Sequence, residues 1–171
     1  NTPKPILAIQ PNGGPQNQGF NYSWTRDLPD TTVIDIINHF NPKGIILDPC
    51  RGKGAFYDNY NTNEKDWCEL SEGKDFFDYD KKVDWIITNP PYSKMREFLE
   101  HGMKISKNIV YLTTINHYTT KRRIRDMRSA KFSLKEIYCV PTPKKEFPQL
   151  GFQLGAIHTQ KDWEGDIKFS Y

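Results

Sequence analysis

Four residues, Asn89-Pro90-Pro91-Tyr92, constrain this chain more than any others. They follow the apolar, strand-like run Val83-Asp84-Trp85-Ile86-Ile87-Thr88 and precede a segment with helical period over 93–106. Two successive prolines cannot continue a sheet ladder, because each lacks an N–H and each holds its predecessor extended. The chain must leave the sheet sharply at the strand's carboxyl end, where open α/β sheets bind ligands. An amide and a phenol ring fixed there can grip a planar group that carries an amine: the amide oxygen accepts its hydrogens and the ring stacks on its face.

The rest of the sequence supplies such a sheet. Helical period over about 30–40, with Val33, Ile34, Ile36, Ile37 and Phe40 on one stripe, is broken by Asn41-Pro42-Lys43-Gly44. Strand and helix then alternate: strand 45–48, helix 54–60, strand 67–70, strand 83–88, helix 93–106, strand 108–115 and helix 119–130. Strands 134–140 and 152–159 close the chain. This rhythm predicts a Rossmann-like, mostly parallel, doubly wound α/β sheet. No helix separates the last two strands, so the final one is expected to run antiparallel. The stretch 70–83 shows no helical period, so that crossover is expected to be short or irregular. Residues 1–19, rich in Pro, Asn, Gln and Gly, read as a flexible arm, and 20–171 as a single domain.

At 171 residues the chain is long enough for one full core, and 13% aromatic content argues against disorder despite a mean hydropathy of −0.75. No run approaches the ~18–20 apolar residues of a membrane span, and none resembles a secretory signal. The first residue is not Met, which points to a processed start. Cys50, Cys68 and Cys139 fit neither a zinc pattern nor a disulfide framework; a reducing, cytoplasmic compartment and no metal are expected.

Net charge is +3, but six basic residues and one acidic residue crowd into 121–131, which leaves the remainder at −2. Such a patch on a near-neutral body suits a localised polyanion, although charge runs are often only a solvated helix face. Between Asp58 and Asp84 the balance is reversed, with nine acidic and four basic residues. A phosphate-bearing cofactor is repelled there; a cationic one is not.

Ile45-Ile46-Leu47-Asp48-Pro49-Cys50-Arg51-Gly52-Lys53-Gly54 is an apolar strand that ends in a glycine-rich turn. It is neither the dinucleotide G-x-G-x-x-G nor a P-loop. Asp48 at the strand end suits an amine-bearing or cationic ligand. Glu69, some 20 residues further on, can accept both hydroxyls of a ribose. Asp75 can accept from an adenine amine while Phe76 packs on the ring, with Asp78, Asp80 and Phe77 as competitors for these places and the core as the plainer home for either Phe.

Together these residues resemble the S-adenosylmethionine-dependent amino-methyltransferases of DNA, especially the adenine-N6 type, over about 20–115. Asp48-Pro49-x-x-Gly52-x-Gly54 is similar to the family's cofactor loop, Cys50 included, and Asn89-Pro90-Pro91-Tyr92 to its catalytic motif. Glu69, Asp75 and Phe76 fall where the family contacts ribose and adenine. Thr25, within Trp24-Thr25-Arg26, stands near the family's aromatic-Thr-Pro contact, with Arg26 in the place of Pro. The resemblance implies S-adenosylmethionine as cofactor and direct methyl transfer to the 6-amino group of adenine. Asn89 and the carbonyl of Pro90 would accept the amine's hydrogens, and Tyr92 would stack on a base flipped out of the duplex. The same motif serves RNA adenine, DNA cytosine-N4 and protein glutamine methyltransferases, and a non-catalytic subunit could keep the fold. No target-recognition domain is recognisable, so sequence choice would fall to loops or a partner chain. His117 or Tyr118 would flank the base. Lys121, Arg122, Arg123 and Arg125, with Lys144 and Lys145 in the late loop, would bind phosphates of DNA or RNA.

Overall fold

A computed structural model describes residues 28–142 and 152–171. These form one seven-stranded sheet in the order β2-β1-β3-β4-β6-β5-β7. The strands are β1 (Ile46–Asp48), β2 (Lys65–Trp67), β3 (Val83–Thr88), β4 (Ser106–Thr114), β5 (Phe132–Cys139), β6 (Leu154–Lys161) and β7 (Lys168–Ser170). Every pairing is parallel except those of β6, which runs antiparallel to both β4 and β5. The expected reversal therefore lies at the final long strand. β7 is an additional edge strand that the sequence does not announce, because three residues carry too little alternation to register.

Among the described residues three α-helices accompany the sheet: α1 (Asp30–Phe40), α2 (Met95–Ile105) and α3 (Lys121–Ser129). α1 buries Val33, Ile36 and Ile37, the centre of its apolar stripe. Pro29 stands at its N-cap without a side-chain bond, and Asp30 occupies the first turn, where its charge suits the helix dipole. Alternation along β4 sends successive side chains to opposite layers. The Tyr111 hydroxyl donates to the Phe98 carbonyl of α2 at 2.8 Å. Asn108, of the other parity, meets His158, whose ring packs edge-on to Phe40 of α1.

Helix 54–60 does not form. Gly54 takes a left-handed φ of 93°, and only the single 3₁₀ turn Tyr57–Asn59 follows. Asn59 spends its amide on the Ala55 carbonyl, and the Tyr60 hydroxyl donates to the Ile87 carbonyl of β3. Such aromatic and Asn-rich sequence has little helix propensity to resist these contacts. β2 lies earlier than its expected 67–70. The crossover to β3 is irregular, as expected, and holds the 3₁₀ turns Leu70–Glu72 and Phe76–Asp78.

In the order β2-β1-β3 the strands stay parallel, but the direction in which successive strands are added along the sheet reverses between β1 and β3. The crevice outside their carboxyl ends is the topological switch point, where such sheets bind ligands. The glycine turn leaves β1 there, and the Asn-Pro-Pro-Tyr turn leaves β3.

Candidate active site

Asp48 ends β1 wholly buried, and its carboxylate organises the crevice. Thr88, the last residue of β3, donates its hydroxyl to Asp48 Oδ1 at 2.6 Å. The Cys50 N–H donates to the same oxygen at 3.2 Å. Cys50 Sγ lies 3.3 Å from Thr88 Oγ1 and 3.4 Å from the Asn89 carbonyl oxygen, to which it donates. The two turns, some 40 residues apart in sequence, are thus joined within hydrogen-bond distance. Burial is the main reason the Asp48 carboxyl is pushed up to about 7, against the lowering effect of its two donors. Burial also pushes the Cys50 thiol well up, which keeps it a neutral donor rather than a nucleophile.

Glu69 is buried two residues beyond the end of β2, not at the strand end. Its Oε2 accepts from the Gly52 N–H at 2.8 Å, and its Oε1 accepts from the N–H and hydroxyl of Ser71 at 3.2 and 2.9 Å. An ionised carboxylate has about four acceptor positions, so chain donors fill most of them here. Gly54 is sterically obliged: a Cβ there would stand 2.5 Å from the Asp58 carboxylate. In front of the turn is a cleft of about 480 Å³ lined by Arg51, Gly52, Lys53, Gly54, Asp58, Ser71 and Glu72. Arg51 stacks 3.6 Å above the Trp67 ring and pairs with Glu72 across the cleft.

Asp75 caps its 3₁₀ turn, accepting from the Phe77 N–H at 2.9 Å. Phe76 is placed in the core against Phe98 and His101, with ring centroids 5.0 and 4.7 Å away, while neighbouring Phe77 is 39% exposed. Beyond β3, Asn89 is 2% and Tyr92 9% exposed, and the Tyr92 ring lies 5.5 Å from that of His117. Pro91 and Tyr92 open the 3₁₀ turn Tyr92–Lys94, which leads into α2. Burial first, and then Arg123, pull the His117 pKa down, so its imidazole is neutral at neutral pH.

Tyr118, expected on the rim, is instead fully buried. Of the basic run, Lys121, Arg122 and Arg125 lie exposed on α3, whereas Arg123 turns inward and is partly buried. Thr25, Lys144 and Lys145 lie outside the described residues. Thr88, Arg51 and Ser71 are contributors that the sequence does not single out. For Thr88 a signal exists: it is the one hydroxyl at the carboxyl end of an otherwise apolar strand.

No family model matches the sequence, and no curated protein matches it. Solved structures do. A "putative RNA methyltransferase" of Pyrococcus horikoshii superposes with a TM-score of 0.59 at 15% identity, over 77% of this chain and 81% of that one. The M protein of the EcoKI type I restriction enzyme gives 0.56 at 15%, over 78% and 43%. The tRNA m1G37 methyltransferase of M. jannaschii gives 0.53 at 14%, over 77% and 47%. The chain thus spans less than half the length of the latter two. At these identities the likeness is one of fold: the chain has the Rossmann-like α/β fold of class I methyltransferases.

Proposed function

We propose that this protein transfers the methyl group of S-adenosylmethionine to the 6-amino group of adenine in DNA. One observation carries the reading: the Asp48–Thr88–Cys50–Asn89 hydrogen-bond network, which locks the glycine turn and the Asn-Pro-Pro-Tyr turn into one crevice. The names of the similar structures support a nucleic-acid substrate, and one of them is a restriction-modification M protein.

The cleft fits the cofactor by charge. It presents Arg51 and Lys53 beside Asp58 and Glu72, a set suited to a zwitterionic amino-acid tail. Gly52 and Gly54 let the backbone approach closely, Pro49 and Cys50 shape the turn, and buried Asp48 braces it from behind. Glu69 meets the ribose with its remaining acceptor capacity, and Asp75 the adenine amine; Thr25 is assigned to the methionine end. When bound, S-adenosylmethionine supplies an electrophilic methyl carbon.

An exocyclic amine on a base is a poor nucleophile, because its lone pair is delocalised into the ring. The Asn89 side-chain oxygen and the Pro90 carbonyl accept its two hydrogens and favour a pyramidal nitrogen with a localised lone pair. This is orientation and electrostatic stabilisation without a covalent intermediate. Tyr92 stacks on the base, with neutral His117 beside it. Because Asn89 is buried, the turn must be uncovered before a base can enter. Sequence choice falls to loops or to a partner chain, or is loose.

RNA is the second acceptor, favoured by the two similar structures named for RNA or tRNA. Incubation with labelled S-adenosylmethionine and matched DNA or RNA, followed by nucleoside analysis, separates the two. Label in N6-methyldeoxyadenosine supports the reading, and label confined to ribonucleosides overturns the DNA assignment.

A further inference from the structure

The amino-terminal end of the sheet, opposite the crevice, carries a second built feature. α3 runs from the carboxyl end of β4 to the start of β5, so it spans the molecule from the catalytic rim to that far end. Its exposed stripe, Lys121, Arg125 and Arg128, follows i, i+4 and i+7 spacing over about 10 Å. At its end is a groove of about 520 Å³ with Ile124, Met127 and Phe132 on its apolar floor and Arg128, Trp163 and Ile167 on its walls.

Lys131 and Asp162 line it with left-handed φ, 64° and 59°; Lys131 follows the C-cap of α3 and donates its N–H to the Arg128 carbonyl, a usual place for that conformation. They are joined by a bond from the Asp162 N–H to the Lys131 carbonyl at 2.8 Å. Gly165 packs against the indole so closely that a Cβ would stand 2.4 Å from it, and Lys135 Nζ lies 4.7 Å from the ring centroid, which leaves the groove side of the ring for a stacking partner. The Trp163 Nε1–H is buried without a hydrogen-bond partner, as are several other side-chain atoms among the described residues.

Resting on the reading that the substrate is a nucleic acid, we infer that this groove binds an unpaired base of a single-stranded nucleic acid whose backbone follows the basic stripe of α3. A duplex presents no base face to such a groove; a single strand does, and aromatic platforms beside a cationic track are how single strands are held without sequence preference. Asp162 and Glu164 on the rim repel phosphates, so the backbone stays on α3 and only a base enters, its amine offered to those carboxylates.

Fluorescence anisotropy of the full chain, without cofactor, tests this with 12-nucleotide single-stranded DNA, RNA of the same sequence and the corresponding DNA duplex. Both single strands are expected to bind more tightly than the duplex. Trp163→Ala weakens single-strand binding roughly 5- to 100-fold, the worth of one stacked base, with the salt slope unchanged. Trp163→Phe retains most of it. Ile167→Glu, at a position 46% exposed, weakens it without threatening the fold. Duplex binding equal to single-strand binding, or wild-type affinity in both Trp163→Ala and Ile167→Glu, overturns the inference. If Trp163→Ala fails to fold, Ile167→Glu alone decides. A preference for one single strand over the other identifies the polymer. Binding is read without turnover, so failure of the methyl-transfer reading leaves this result interpretable.

Discussion

The two ends of the sheet differ in kind. At the carboxyl ends of β1 and β3, and just beyond β2, the polar groups Asp48, Thr88 and Glu69 are buried, and each makes short hydrogen bonds to another part of the crevice. Along α3 and its groove the charged groups are exposed, and Lys121, Arg122, Arg125 and Arg128 belong to no ion pair among the described residues. Burial and dense bonding fix geometry, which chemistry on a weak nucleophile requires. Exposure and free charge give attraction without register, which suits a polymer held at many equivalent positions. Substitutions at the first end should therefore act on kcat and stability, and at the second on affinity and its salt dependence.

The largest effect is expected at Asn89. Asn89→Ala should lower kcat by roughly 10²–10³-fold, as for other lost acceptors or donors to a transition state, while calorimetry shows cofactor still bound. A variant with normal kcat would erase the distinction between the ends.

Next comes the brace. Thr88→Val removes a charge-assisted hydrogen bond from a buried carboxylate and should cost about 1.5–3 kcal/mol in thermal unfolding. Asp48 adds a pH signature. Its folded pKa of about 7 lies above the ordinary 3.8, so the folded state holds the proton more tightly. The associated stability is complete below pH 3.8, declines as pH rises towards 7, and is gone above it. Melting temperatures between pH 5 and 8 should fall more steeply in the wild type than in Asp48→Asn. Equal slopes would mean that Asp48 titrates normally.

The smallest effects belong to α3. Arg122→Ala and Arg125→Ala should each raise the Michaelis constant for the polymer a few-fold at unchanged kcat, and each reduce the salt slope of binding by about 0.7–0.9. Unchanged slopes would leave the stripe a solvated face.

Backbone-dictated features were legible in the sequence: the double proline, Gly54 and the Asn41-Pro42-Lys43-Gly44 break act locally and leave few alternatives. The alternation of strand and helix gave the parallel sheet and its one reversed strand for the same reason. What escaped was set by tertiary contact. Segment 54–60 reads as helical only until Tyr60 reaches across to β3. Glu69 looks like the end of a strand, but its bridge to Lys74 closes a separate loop. Tyr118 follows a polar run yet fills the core, and Phe76 and Phe77 both pack on Phe98 but only Phe76 is buried. No local pattern distinguishes such pairs.

Mass spectrometry of nucleosides from DNA incubated with S-adenosylmethionine bearing a deuterated methyl group, using wild type and Asn89→Ala in parallel, tests the central claim most directly. The wild type should form N6-(trideuteromethyl)deoxyadenosine, and Asn89→Ala should form it at an initial rate roughly 10²–10³-fold lower. Equal labelling by both proteins, or no labelled base with either on DNA or RNA, would contradict it.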